Sequence, residues 1–244
     1  MPNYHDIKDN PDSAYKQRSL FGRRQGRAIR DERGDALRNV LPQVEIAQKH
    51  LNQEHTTPPA ELFDESFQSH WLEIGFGHGE RLAQLMKNQS ETAFIGAEPF
   101  INGMAGFLKE LQQNDQPLDN IRVLMDDGMF IARSLTPASL DGIYVLNPDP
   151  WHKKRHHKRR IINQTTLDTF AKILKPGGKL VMSTDVPPLS EWMCTHANHH
   201  PAFRWAANTS DDWSIAPPDW IQTKYEIKGA KGAKKMVYLF FERV

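Results

Sequence analysis

The chain has a single cysteine, Cys194, among its 244 residues. No intrachain disulfide can form, which suits a reducing compartment. It also lacks any run approaching about 18 apolar residues, so no spanning helix is expected. Its start, Met1-Pro2-Asn3-Tyr4-His5-Asp6, has no apolar signal core, and a cytoplasmic location is the expectation. Net charge is nearly absent too: 31 Lys and Arg face 30 Asp and Glu, a formal charge of +1. That small sum conceals an uneven distribution. Residues 16–30 hold six Lys or Arg and no acid, and residues 152–160 hold six more and no acid. Setting those twelve aside leaves 19 basic residues against 30 acids. Two basic strips on an acidic body point to a localised polyanion footprint.

What is present is most concentrated at residues 147–160. Asn147-Pro148-Asp149-Pro150-Trp151 runs into His152-Lys153-Lys154-Arg155-His156-His157-Lys158-Arg159-Arg160. Two prolines fix φ on either side of Asp149 and aim its carboxylate at low entropic cost. Trp151 offers a flat face for a base, and the cationic run suits phosphates. Taken singly, charge runs are mostly solvated faces and Pro-rich turns are mostly turns. Position adds to them: Leu140–Leu146 reads as a buried strand, which puts the motif at the carboxyl edge of a sheet, where open α/β sheets bind ligands. An acid and an aromatic beside a polyanion strip are suited to work on a nucleobase.

Length and a 25% charged, 39% hydrophobic composition fit one globular domain with an added arm. Residues 1–45 lack strand patterning and are Arg-rich, as in Arg18-Ser19-Leu20-Phe21-Gly22-Arg23-Arg24. They read as a basic, mobile arm, and residues 46–244 as the folded domain. From residue 70 strands and helices alternate. Strands are expected at 71–74, 92–97, 121–125, 141–146 and 179–184, with helices at 80–87, 101–113, after Gly128 and at 160–174. Pro176-Gly177-Gly178 marks the stop of the last helix. Residues 203–207 and 235–241 read as paired strands closing the sheet. The alternation predicts a seven-stranded, mainly parallel α/β sheet with helices on both faces and an antiparallel C-terminal strand.

The turn Glu73-Ile74-Gly75-Phe76-Gly77-His78-Gly79 follows strand one and opens a helix, so backbone can pass close to a ligand. Glu98 ends strand two, where a carboxylate can accept two ribose hydroxyls. Asp126-Asp127 end strand three, beside the position of an adenine amino group. Glu73 precedes the first glycine, near where an amino-acid ammonium would lie. A dinucleotide fold prefers Gly-x-Gly-x-x-Gly for its pyrophosphate; here the spacing differs and the acidic rim repels phosphate. A ligand with a nucleoside and a cation but no phosphate is expected. S-adenosylmethionine meets that description.

Together these residues resemble the bacterial tRNA (guanine-N7)-methyltransferase family, within the class I, Rossmann-like methyltransferase fold. The resemblance covers about residues 65–244 and rests on Leu72-Glu73-Ile74-Gly75-Phe76-Gly77, Pro148-Asp149-Pro150-Trp151 with its basic run, Thr184-Asp185 and Thr223-Lys224-Tyr225-Glu226. It implies methyl transfer from S-adenosylmethionine to N7 of the variable-loop guanine, position 46, of tRNA. It implies cofactor contacts from Glu73, Gly75, Gly77, Glu98, Asp127 and Asp149, and substrate contacts from Lys153, Asp185, Thr223, Lys224, Tyr225 and Glu226. Asp149 is the expected catalytic carboxylate. Arg155, Lys158, Arg159 and Arg160 are expected to position RNA through its phosphates. Two departures from the family are Asn147, where many members have an aromatic, and the stretch 229–235. No metal is expected despite His152, His156 and His157, because neighbouring cations disfavour one and the reaction needs none. An amino-group methyltransferase, a non-catalytic RNA binder and a dehydrogenase are the rival readings. No obligate protein partner is evident, and the chain is expected to be a monomer or homodimer.

Overall fold

The computed structural model describes residues 21–51, 55–64, 66–227, 229 and 235–244. Its seven strands are β1 (Ser69–Ile74), β2 (Thr92–Ala97), β3 (Ile121–Leu124), β4 (Leu140–Leu146), β5 (Leu174–Thr184), β6 (Phe203–Trp205) and β7 (Val237–Arg243). Their order in space is β3-β2-β1-β4-β5-β7-β6. The pairs up to β5 are parallel, and β7 runs antiparallel to both β5 and β6. This is the architecture expected from the alternation of elements.

The sheet is buried on both faces because its strands are apolar on both. All six positions of β2 are buried. Phe94 packs into one core, and Ala93, Ile95 and Ala97 pack into the other. Such continuous burial is the mark of a parallel strand covered by helices on either side. Helices α1 (Asp31–Asn39), α3 (Glu80–Asn88) and α4 (Ile101–Gln113) supply Leu37, Leu82, Phe107 and Leu108 to the first core. Helices α5 (Gly128–Ser134), α6 (Gln164–Ile173) and α7 (Pro187–Asn198) supply Ile131, Phe170 and Met193 to the second. Two short helices, α8 (Asp211–Ser214) and α9 (Lys224–Ile227), lie in the segment between β6 and β7. Among the described residues no helix is long and apolar enough to cross a membrane.

The structure moves one expected boundary. Residues 31–45, read as part of the arm, belong to the domain: α1 and α2 (Leu41–Val44) bury Ala36, Leu37, Val40, Leu41 and Val44. The Ile46 N–H then donates to Val123 O at 2.9 Å, so the segment shields the outer edge of β3. The apolar positions 36, 37, 40, 41 and 44 recur at helical spacing, which a search for strand alternation passes over. The first 20 residues of the expected arm lie outside the described residues.

Smaller differences have local causes. The helix expected from 160 begins at Gln164, because Asn163 caps it by accepting from Thr166 N at 3.1 Å. Pro176-Gly177-Gly178 does not stop the helix, which has ended at Ile173; it makes an irregularity early in β5. Helix α7 adds to the elements read from the sequence; Leu189, Met193 and Ala197 bury one of its faces at intervals of four.

Chain order reverses between β1 and β4, so the carboxyl ends of these neighbours open a crevice. Gly75 leaves β1 there and Asn147 leaves β4. Leu41→Ala should cost about 2–5 kcal/mol in urea unfolding, as expected for a buried leucine; an unchanged midpoint would exclude the α1–α2 segment from the core.

Candidate functional site

A cavity of about 540 Å³ occupies this crevice. Gly75, Glu98, Asp127 and Gly128 line one side, and Asn147, Asp149, Trp151, Lys158 and Arg159 line the other. Gly75 and Gly77 sit at φ 77° and 63°, and a Cβ built on either would meet nothing within 4 Å. The turn therefore leaves open space where side chains would stand. Its position ahead of α3 follows from these left-handed conformations, which glycine adopts without strain.

Glu98 is buried, accepting from Gly77 N at 2.6 Å and from Phe100 N at 2.8 Å. Burial pushes its carboxyl up to about 7, against the pull of those two N–H donors. Asp127 caps α5 by accepting from Met129 N at 3.0 Å. Asp149 stands exposed between its prolines, and partial desolvation raises its carboxyl from the ordinary range. The elbow that holds it is bounded by two left-handed residues, Asn147 at φ 49° and Trp151 at φ 45°. Asparagine tolerates that region, but for a tryptophan it is an outlier of the kind found at working sites.

The basic run divides by threes. Lys154–Arg159 form a 3-10 turn, in which residues three apart eclipse. Arg155 and Lys158 face solvent. His156 lies edge-on to Trp151, and Arg159 sits 5.0 Å from the same ring. His157 and Arg160 pack against Trp192. Arg160 is 3% exposed, and its Nε donates to Pro150 O at 2.9 Å. The expectation that Arg160 meets a phosphate is thus corrected: it braces the elbow from inside.

The match to known proteins follows this geometry. Residues 68–239 match a family model described as "Putative methyltransferase". The tRNA (guanine-N(7)-)-methyltransferase of Brucella anthropi is 39% identical over 92% of this chain and 94% of its own. That of Rhodospirillum rubrum is 35% identical, covering 96% and 91%. The chain belongs to the tRNA (guanine-N7)-methyltransferase family. Among solved structures, the aminoglycoside resistance methyltransferase NpmB1 superposes with a TM-score of 0.51 at 14% identity, covering 74% of this chain and 89% of that one. TrmN from Thermus thermophilus gives 0.50 at 14%, covering 75% and 46%. These two likenesses establish a shared methyltransferase fold.

Of the residues expected to form the site, only some gather around the cavity. Gly75, Glu98, Asp127 and Asp149 line it, and Gly77 borders it through Glu98. Glu73 does not: it is 3% exposed and paired with Arg81 at 3.1 Å. Burial pushes its carboxyl up and Arg81 pulls it back. Lys153 is exposed ahead of the 3-10 turn. Asp185 is buried and accepts from the Tyr225 hydroxyl at 3.3 Å. Lys224 pairs with Glu80 at 2.5 Å. Thr223 and Glu226 meet the site through Asn147, whose Nδ2 reaches both. Of the departing stretch 229–235, residues 230–234 lie outside the described residues. Among the described residues no group of three His, Cys, Asp or Glu is placed to hold a metal ion.

Sequence reasoning missed one wall. Residues 21–27 run from the cavity, which Phe21 lines, to the start of α4. The Ile101 N–H donates to Arg24 O at 2.9 Å, and Gly26 N donates to Asn102 Oδ1 at 2.6 Å. At the far side Phe21 lies edge-on to Trp151, with Arg159 4.7 Å from its ring. The Trp151 ring, expected to offer a face to a base, is therefore flanked by Phe21 and Arg159. A lone phenylalanine inside an Arg-rich segment was the available signal. Arg160→Ala should destabilise the fold by about 1–3 kcal/mol through its lost bonds to Pro150 and Pro188, while Arg155→Ala should not. Equal midpoints for the two variants would contradict the buried role.

Proposed function

We propose that this chain transfers the methyl group of S-adenosylmethionine to N7 of the variable-loop guanine, position 46, of tRNA. One observation carries the reading: a single cavity joins an open glycine turn and two acids, Glu98 and Asp127, to Asp149 and the cations Lys158 and Arg159. The first half fits a nucleoside with a cationic tail, since the turn presents open space and Glu98 is set at the strand end for ribose hydroxyls. The second half fits a base on an RNA. The setting of such a reaction is the cytoplasm, with tRNA as the partner.

When bound, S-adenosylmethionine supplies an electrophilic methyl group on a sulfonium and leaves as a neutral thioether. N7 of neutral guanine has a lone pair and no proton, so the chain needs no general base. Its task is to hold N7 in line, and orientation of this kind contributes roughly 7–11 kcal/mol. As the N7–C bond forms, positive charge moves onto the purine. The Asp149 carboxylate, fixed between Pro148 and Pro150, is aimed to offset that charge. Arg155, Lys158 and Arg159 position the phosphates, and Lys153 extends the same strip.

The deciding experiment combines labelled S-adenosylmethionine with unmodified bulk tRNA, followed by nucleoside analysis. Label in 7-methylguanosine mapped to the variable loop is expected; label in N6-methyladenosine, or none, overturns the proposal. Asp149→Ala should lower kcat by about 10²–10³ while tRNA affinity changes little. Near-normal turnover in that variant would remove Asp149 from its role.

Glu98 makes cofactor affinity depend on pH. Its carboxyl must ionise to accept two hydroxyls, and in the free protein it does so only near 7. Affinity should therefore rise by about tenfold between about pH 6 and pH 8 and then level. The sign for folding is opposite. The unfolded group ionises near 4.5, so the stability linked to Glu98 is present below that pH and is lost as pH rises through about 7. Glu98→Gln should bind weakly and without this pH dependence, measured by calorimetry; a flat wild-type profile would contradict the assignment.

A further inference from the structure

The segment after β6 is tied to the cofactor half through a small set of side chains. The Glu226 carboxylate accepts from Trp220 Nε1 at 3.0 Å and Thr223 N at 3.2 Å on one oxygen, and from Asn147 Nδ2 at 3.4 Å on the other. Trp220 in turn lies 5.0 Å from the Arg81 guanidinium, which pairs with Glu73. Glu226 is thus occupied in holding its own loop. The polar group left for a ligand is on its neighbour.

Asn147 follows β4, and its backbone N–H donates to Ser183 O at 2.8 Å. Its Nδ2 donates to Thr223 Oγ1 at 3.3 Å and to Glu226 Oε1. Its Oδ1 is buried and has no partner, although the residue lines the cavity. Turning the amide over is no remedy, because the oxygen would then face the Glu226 carboxylate. A buried acceptor without a donor has given up its hydration for nothing. The arrangement is half of a hydrogen bond.

We propose that Asn147 reads the base: its Nδ2 fixes Thr223 and Glu226 against the end of β4, and its Oδ1 accepts an N–H from the Watson–Crick edge of guanine. This rests on the guanine-N7 reaction proposed above. Guanine carries donors at N1 and at its 2-amino group, on the edge away from N7. Adenine has no donor at either place, so it would leave Oδ1 unpaired. A site built to accept a substrate N–H rejects the analogue lacking it far more strongly than an apolar pocket does.

Two substitutions separate this role from a structural one. Asn147→Gly keeps the left-handed backbone and removes both amide functions. Asn147→Asp also tolerates that backbone and keeps an acceptor, but sets a second carboxylate against Glu226. At saturating S-adenosylmethionine, N147G should lower kcat/KM for tRNA about 10–100-fold. Its cofactor affinity without tRNA, read by calorimetry, should stay within about twofold. N147D should be similarly impaired near pH 8 and recover severalfold toward about pH 6, where the two carboxylates share one proton. The wild type should show no such recovery.

A cofactor affinity that falls in N147G while tRNA kinetics hold would give Oδ1 to the cofactor ammonium and overturn the proposal. So would an N147D profile parallel to the wild type. A wild-type chain that puts no label in 7-methylguanosine overturns the reaction and this reading with it. A labelling wild type with unaltered variants overturns only the role of Asn147.

Discussion

The parallel pairing of β1 with β4 is the constraint on which the rest depends. Their register, Trp71 with Gly142 through Glu73 with Tyr144, places the ends of both strands side by side. Chain order reverses at this pair, so the connections leave in opposite directions and a crevice opens at the strand ends. The glycine turn and the Pro-Asp-Pro elbow face each other because they leave those two strands. Packing reinforces the register. Trp71 stacks on Tyr144 with centroids 4.5 Å apart, and a Cβ on Gly142 would strike the Trp71 ring. A larger residue at 142 would push apart the strands that set the cavity.

At the end of β1, the Glu73–Arg81 pair explains how a carboxylate can be buried just before the glycine turn. Arg81 satisfies Glu73 at 3.1 Å and lies 4.1 Å from the Tyr144 ring. Removing either partner would leave an uncompensated buried charge, which is strongly destabilising. The pair is therefore part of the fold before it is part of any binding step. Because Trp220 rests on the same guanidinium, the loop bearing Thr223 and Glu226 takes its position from the helix that follows the glycine turn. The two halves of the site are held to one frame rather than to two.

Much of this was legible in the sequence. The strands were, because β2 and residues 142–146 of β4 are apolar runs, the first followed by Glu98 and the second by Asn147-Pro148. The gathering of Glu98, Asp127 and Asp149 at one cavity was, because each lies within three residues of a strand's carboxyl end and topology gathers those ends. Other features need pairing information that a one-dimensional pattern does not contain. Glu73 occupies the expected position, but only the fold shows that Arg81, eight residues on, claims it. The α1–α2 segment hid behind its charge, since five apolar residues at helical spacing bury one face of an otherwise polar stretch. Phe21 shows in the sequence only as a lone aromatic among arginines, because its partners, Trp151 and Arg159, are more than a hundred residues away.

The basic run shows why composition overstates a footprint. Nine consecutive basic or imidazole residues contain no apolar positions from which a period could be read. The 3-10 turn nevertheless gives them three rows. One faces solvent, one packs on Trp151 and one on Trp192. The guanidinium of arginine is weakly hydrated and stacks on aromatic faces, which lysine does not do as well. That difference suits Arg159 and Arg160 to their places against the tryptophans, while the outward row holds both an arginine, Arg155, and a lysine, Lys158. Arg160, bonded to Pro150 O, braces the elbow that carries Asp149, and Arg155 and Lys158 in the outer row stay open to solvent. The same sequence feature thus supplies both packed and solvent-facing cations, and the division between them follows the three-residue period of the turn.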